Sequence, residues 1–223
     1  MPYLLACSRA LFLSVSLLSL ATTPSMAANS QPLELEKRKV IMPELNGLRL
    51  VLRNKAYIDS RNAAVLKLDE PKSVIVSTPF SPSVVLILVS EQELSSLQIS
   101  EHHLADLEIS REDAIASGRK QVLAQLPSLP GPADFVEGVV VSPKIDYVAS
   151  LLLADGWEQL DNALNGRLVA AVPSDDQVIL ANVDSDRMLE KLKTFVANAY
   201  TNANRSVSQS LFVRENGAWV ELK

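Results

Sequence analysis

The sequence predicts an α+β fold of antiparallel strands and hairpins with interspersed helices. Three observations predict it. Alternating and β-branched runs fill Val40 to Val89, helix-capping residues open the middle third, and two hairpin signals lie in the last third, at 173–176 and at Asn216-Gly217. Strands grouped by hairpins lack the regular strand–helix alternation of a doubly wound parallel sheet.

The first element is a secretory leader over residues 1–27. Arg9 precedes an apolar run from Ala10 to Ala21, and Ser25-Met26-Ala27 supplies the small residues of a cleavage site, with the cut expected between Ala27 and Ala28. Those twelve residues fall short of the roughly 20 that span a bilayer, so no stable membrane span is expected after cleavage. Leu4-Leu5-Ala6-Cys7 has the look of a lipoprotein box but precedes the apolar run instead of following it. The expected location is the periplasm or the exterior. Cleavage removes Cys7, the one cysteine, together with Arg9, one of 21 basic residues, and none of the 26 acidic ones, so the formal charge moves from −5 to −6. A chain of that sign has no electrostatic route to nucleic acid. Without cysteine, disulfides, thiol nucleophiles and thiolate metal sites are excluded from the mature chain.

Residues 28–39 read as a polar, flexible lead-in holding Lys37-Arg38-Lys39, whose field Glu34 and Glu36 largely cancel. Over 40–126 a strand-rich part precedes a helical one. Leu48, Leu50 and Leu52 alternate with Arg49, Val51 and Arg53, and Val74–Val76 and Val84–Val89 are β-branched runs separated by Pro79 and Pro82. Ser90 with Glu93 has the spacing of a capping box and predicts a short helix near 91–97; Ser100 and Ser110 predict helices near 101–107 and 111–126, the latter with Ile115, Val122 and Leu126 on one face. The Pro-rich stretch 127–133 is the best internal boundary, with 40–223 as a single domain the alternative.

Over 134–223 the expectation is a strand at Phe135–Val141, a helical stretch at Ala149–Leu164 interrupted by Gly156, and a hairpin of Arg167–Val172 with Gln177–Val183. Asp184 or Ser185 then caps a helix with a stripe of Met188, Leu192, Phe195, Val196 and Ala199. A last hairpin of Leu211–Arg214 and Ala218–Leu222 turns at Asn216-Gly217.

Val89-Ser90-Glu91-Gln92-Glu93-Leu94, Leu123-Ala124-Gln125-Leu126, Tyr147 to Leu153 with Trp157, Val172 to Asp176, and Ser208 to Val213 with Asn216 to Trp219 together resemble the YtpQ-like family of uncharacterised bacterial proteins. The resemblance covers roughly residues 84–222 and rests on spaced apolar and aromatic positions. It implies a mixed α and β domain of bacterial origin and transfers no functional residue. The secretory leader departs from the family pattern, so a cytoplasmic role does not carry over.

Chemistry is sparse. The seven glycines are at least seven residues apart, which excludes a GxGxxG, a Walker A loop and a GxSxG elbow. His102 and His103 are adjacent and point about 100° apart on a helix, so they do not form an i, i+4 metal pair; with Glu101 beside them, one could serve as a base, and solvated helix residues are the better expectation. Ser117-Gly118-Arg119-Lys120 matches SxxK without the companion motifs and in mid-helix. Asp175-Asp176 and Asp184 with Asp186 have turn and capping explanations. Asn204-Arg205-Ser206 is a glycosylation sequon by pattern alone. Trp157, Trp219, Tyr147 and Phe212 are expected in the core. Catalytic residues stay unassigned, and neither a cofactor nor a metal is expected. The function expected is a non-catalytic binding or assembly module of the cell envelope with a protein or small-molecule partner; the alternative is a periplasmic hydrolase built from dispersed Asp, Glu, Ser or His residues.

Overall fold

The computed structural model describes residues 42–93 and 95–222, and the leader, lead-in and cleavage pair Ala27-Ala28 lie outside the described residues. It is α+β, with two antiparallel sheets. In the first, β1 (Leu48–Asn54) pairs with β3 (Val84–Glu91) along its whole length, Leu48 opposite Ser90 and Asn54 opposite Val84. The other side of β3 carries β2 (Ser77–Pro79) and β4 (Ser96–Gln98). Between β1 and β2 the chain forms α1 (Lys55–Lys67), and after β4 come α2 (Glu101–Asp106) and α3 (Arg111–Leu123).

Here two expectations are corrected. The strand-favouring reading of 40–89 missed α1, which has no apolar stripe: only Ile58 is fully buried. Its start is set by Asn54, whose side chain accepts from the Tyr57 N–H at 3.0 Å. The helix near 91–97 does not exist. Ser90 is a buried residue of β3 whose hydroxyl accepts from the Glu44 N–H at 3.0 Å, and 96–98 is strand β4, because the β-branched run feeding Ser90 continues as a central strand. The run at Val74–Val76 contributes only a single bridge, Ile75 to Ser100. In α3 the fully buried residues are Ala114, Gly118 and Val122, the last on the expected face, whose Ile115 and Leu126 are partly buried against the core; the helix sits on β1 at Gly118.

The second sheet runs β5 (Val139–Val141), β7 (Gln177–Asn182), β6 (Leu168–Ser174), β8 (Leu211–Glu215), β9 (Ala218–Glu221) in spatial order. Both hairpins form as the turn residues dictate, with Asn216 at φ 50° and Gly217 at φ 78°. The strand expected over Phe135–Val141 is shortened to β5, because 3-10 turns occupy Pro132–Asp134 and Val136–Gly138. A 3-10 turn at Val148–Leu153 and α4 (Trp157–Ala163) flank Gly156, and α5 (Asp186–Thr201) starts on a Ser185 cap.

Strand alternation divides the packing. Leu168, Ala170, Val172, Val178, Leu180, Phe212 and Trp219 point to a central core shared with α4, whereas Val169, Ala171, Ile179 and Ala181 face Leu192 and Val196 of α5. Leu52 and Val84, from the first sheet, belong to the same central core, so residues on both sides of 127–133 pack together. Trp157 and Trp219 meet edge to face at 5.2 Å, and each indole N–H is bonded to a backbone carbonyl, Leu151 and Leu152, at 3.1 Å.

Candidate ligand-binding site

The last residues of β1 reach a buried ion pair. Arg53 follows Arg49 and Val51 on the strand face opposite Leu48, Leu50 and Leu52. Arg49 is saturated, pairing with Glu91 at 2.9 Å and bonding Gln121, Gln125 and the carbonyls of Asn46 and Leu48. Arg53 reaches across to the second sheet instead, where its Nη2 lies 3.1 Å from Asp175 Oδ2.

Asp175 occupies the turn between β6 and β7, a place where Asp ordinarily meets solvent. Here it is 1% exposed. The turn is pulled inward by backbone bonds on both sides, Asp175 N–H to the Arg205 carbonyl and Ala149 N–H to the Asp175 carbonyl, each 3.2 Å. Arg205 Nε stands 3.0 Å from Asp175 Oδ1, and its Nη2 donates to Asp146 at 2.5 Å. Neither Asp175 oxygen receives an aligned hydrogen bond, so ion pairing alone compensates its burial. Burial lifts the carboxyl above its ordinary range against the pull of Arg53 and Arg205. Arg53, Asp175, Arg205 and Asp146 thus form a relay of alternating sign. Tyr147, buried at φ 62°, lies beneath it with its ring centroid 5.9 Å from the Arg53 guanidinium carbon. A left-handed conformation at a bulky aromatic residue is strained, and the relay on either side of it is part of what holds it.

The relay separates two grooves, each about 410 Å³. Asp175 and Arg205 line the first, with Asp176, Lys144 and three asparagines. Arg53 lines the second, among residues of α1, the 71–73 turn, β3, β4 and α2. Its apolar lining consists of Val65 and Leu97, half-buried, with Ile75 and Val89 almost wholly buried. The rest of the lining is polar: Arg53, Arg61, His102 and His103, with Ser73, Ser96, Ser100 and Gln98. A volume in the range of small-molecule sites, with a few polar groups converging over apolar surface, makes this the better candidate.

The structure places the sequence candidates as follows. His103 Nδ1 accepts from the Ser100 N–H at 3.1 Å, which fixes the neutral ring; burial first, then the neighbouring His102, holds its pKa below 6.5. His102 Nε2 lies 3.4 Å from Asp106. No three His, Cys, Asp or Glu side chains are grouped to hold a metal among the described residues. The Ser117 hydroxyl accepts from Gln121 at 2.7 Å in mid-helix. Ser185 caps α5 by accepting from the Met188 N–H, and its hydroxyl donates to Asp184 at 3.0 Å. Turn geometry was an incomplete account of Asp175. Sequence reading placed Arg53 in an alternating strand without marking it, Arg61 or Gln98 as site residues; the available signal was an arginine at the end of that strand just before an Asn cap. It also missed Glu221, which accepts from Ser81 at 2.5 Å, from the Ser83 hydroxyl and N–H at 2.7 and 2.8 Å, and from Ser210 at 3.0 Å. The four aromatic residues expected in the core are buried. No family model, curated protein or solved structure matches the chain.

Proposed function

We propose that the protein is a non-catalytic binding module of the cell envelope, exported to the periplasm or beyond, with its ligand in the groove bounded by Arg53 and His103. One observation supports this reading: the groups with reactive potential are held by structural partners, while the groove keeps polar side chains beside the half-buried Val65 and Leu97. Asp175 sits in its arginine clamp, Glu221 in a ring of serine donors, His103 in a helix-start bond, and Ser117 against Gln121. A nucleophile needs a base within hydrogen-bond reach and a site beside both for the reacting atom. Kinship with the YtpQ-like family belongs to the same proposal and adds only the expectation of an α+β domain.

The test is turnover. Purified mature protein is expected to leave ester, peptide, glycan and phosphate substrates intact. Hydrolysis of any of them, abolished by one polar substitution, would replace the binding module with a hydrolase. The N-terminal residue of the exported protein is expected to be Ala28, and Met1 there would overturn the export reading.

A further inference from the structure

Resting on that reading, we propose that the groove takes an amphiphilic anion: an oxyanion head, carboxylate or phosphate, on a short aliphatic body. In a chain with 26 acidic residues against 21 basic ones, this groove is lined, among the described residues, by two arginines and by no Asp or Glu, with His103 held neutral by the Ser100 N–H. Arg53 is set in place by its ion pair with Asp175 and by one hydrogen bond from Nη1 to the Leu52 carbonyl, out of the five donors a guanidinium carries. Arg61 donates to the Tyr57 hydroxyl at 3.3 Å and has no carboxylate within 4.0 Å among the described residues. His102 Nε2 lies 3.4 Å from Asp106 Oδ2 at the α2 end.

Gln98 and the hydroxyls of Ser73, Ser96 and Ser100 add neutral polar side chains to the same lining. The half-buried side chains of Val65 and Leu97 give the lining its accessible apolar surface, which suits the other half of the ligand. A wholly apolar ligand would strip water from two guanidinium groups without replacing it, and a cation would be repelled.

The experiment is an amide chemical-shift titration of the exported protein with octanoate, octyl phosphate, octanol and inorganic phosphate. Saturable shifts at Ser96–Ser100 and His102–His103 are expected with octanoate or octyl phosphate, and the tighter of the two identifies the head group. Octanol and inorganic phosphate are each expected to bind at least roughly tenfold more weakly. Arg61→Gln, on the exposed face of α1, is expected to weaken the anion roughly tenfold and leave octanol unchanged, while Lys67→Gln, on the same helix outside the groove, changes neither. Octanol matching octanoate would overturn the anionic head and leave the binding reading standing. Inorganic phosphate matching octyl phosphate would overturn the apolar body. Shifts mapping elsewhere, or none with any probe at millimolar concentration, would overturn the proposal for this groove, whereas the turnover panel judges the binding reading separately.

Discussion

Asp175 is the residue on which burial and charge compete most directly. Desolvation opposes its ionised form, two arginines favour it, and no aligned hydrogen bond adds to either side. Removing one partner of a buried ion pair leaves the others uncompensated, which costs more than the pair itself contributes. Asp175→Asn keeps the shape and strands Arg53, whose side chain is 12% exposed, against Arg205. The expected loss is about 3 kcal/mol of unfolding free energy, read as a lower urea midpoint at unchanged slope. Arg205→Gln is expected to cost about 1 kcal/mol or less, because that side chain is 47% exposed and water replaces much of the lost interaction. Equal losses in the two variants would place the energy of the clamp at Arg205 instead of Arg53.

Among the elements, those fixed by local chemistry were legible in the sequence and those fixed by neighbours were not. The hairpin at Asn216-Gly217 was readable because two residues tolerate positive φ together, and α5 because Ser185 and an apolar stripe agree. α1 was hidden because it buries little more than Ile58, leaving no period to detect, and the Ser90–Glu93 box misled because its spacing is indifferent to the strand in which it lies. The groove was hidden for a topological reason: its residues run from Arg53 to His103, and only the pairing of β1 and β4 with β3 brings them together. Two predictions belong at this scale. Gly118→Ala should stabilise an isolated helix by about 1 kcal/mol. In α3, however, a Cβ there would stand 2.7 Å from Leu88 Cδ2, 3.0 Å from the Leu50 nitrogen and 3.2 Å from the Arg49 carbonyl carbon. The leucine tip can turn away but the β1 backbone cannot, so the net effect is expected to be destabilising, by about 1 to 3 kcal/mol. A raised melting temperature would mean that α3 slides on β1. Asn54→Ala removes the α1 cap and also the bond from Nδ2 to the Val207 carbonyl at 3.0 Å, and is expected to cost about 2 kcal/mol, more than a cap alone.

At the scale of the whole described chain, the two sheets share the core around Leu52, Val84, Trp157 and Phe212 and are fastened by polar contacts that include Arg53 to Asp175, Asn54 to Val207, Ser83 to Ser208, and Glu221 to Ser81 and Ser83. The last of these makes stability depend on pH. Desolvation raises the Glu221 carboxyl, but the hydrogen bonds from Ser81, Ser83 and Ser210 outweigh it and hold the folded pKa below 4.5. A depressed carboxylate contributes stability that is complete above its unfolded value and is lost as pH falls through the folded one. His103, also depressed, adds a loss of the same sign from 6.5 downward, because the unfolded ring takes up its proton first. Asp175, raised above 3.8, works in the opposite direction, since its folded carboxyl is the first to protonate. The contributions are separated by comparing urea midpoints of the wild type and Glu221→Gln from above pH 6.5 to below pH 4.5. The variant is expected to be less stable at neutral pH and to converge on the wild type in acid, because the wild type alone loses the serine-bound carboxylate there. A gap that stays constant across that range would mean that Glu221 acts through packing and not through its charge.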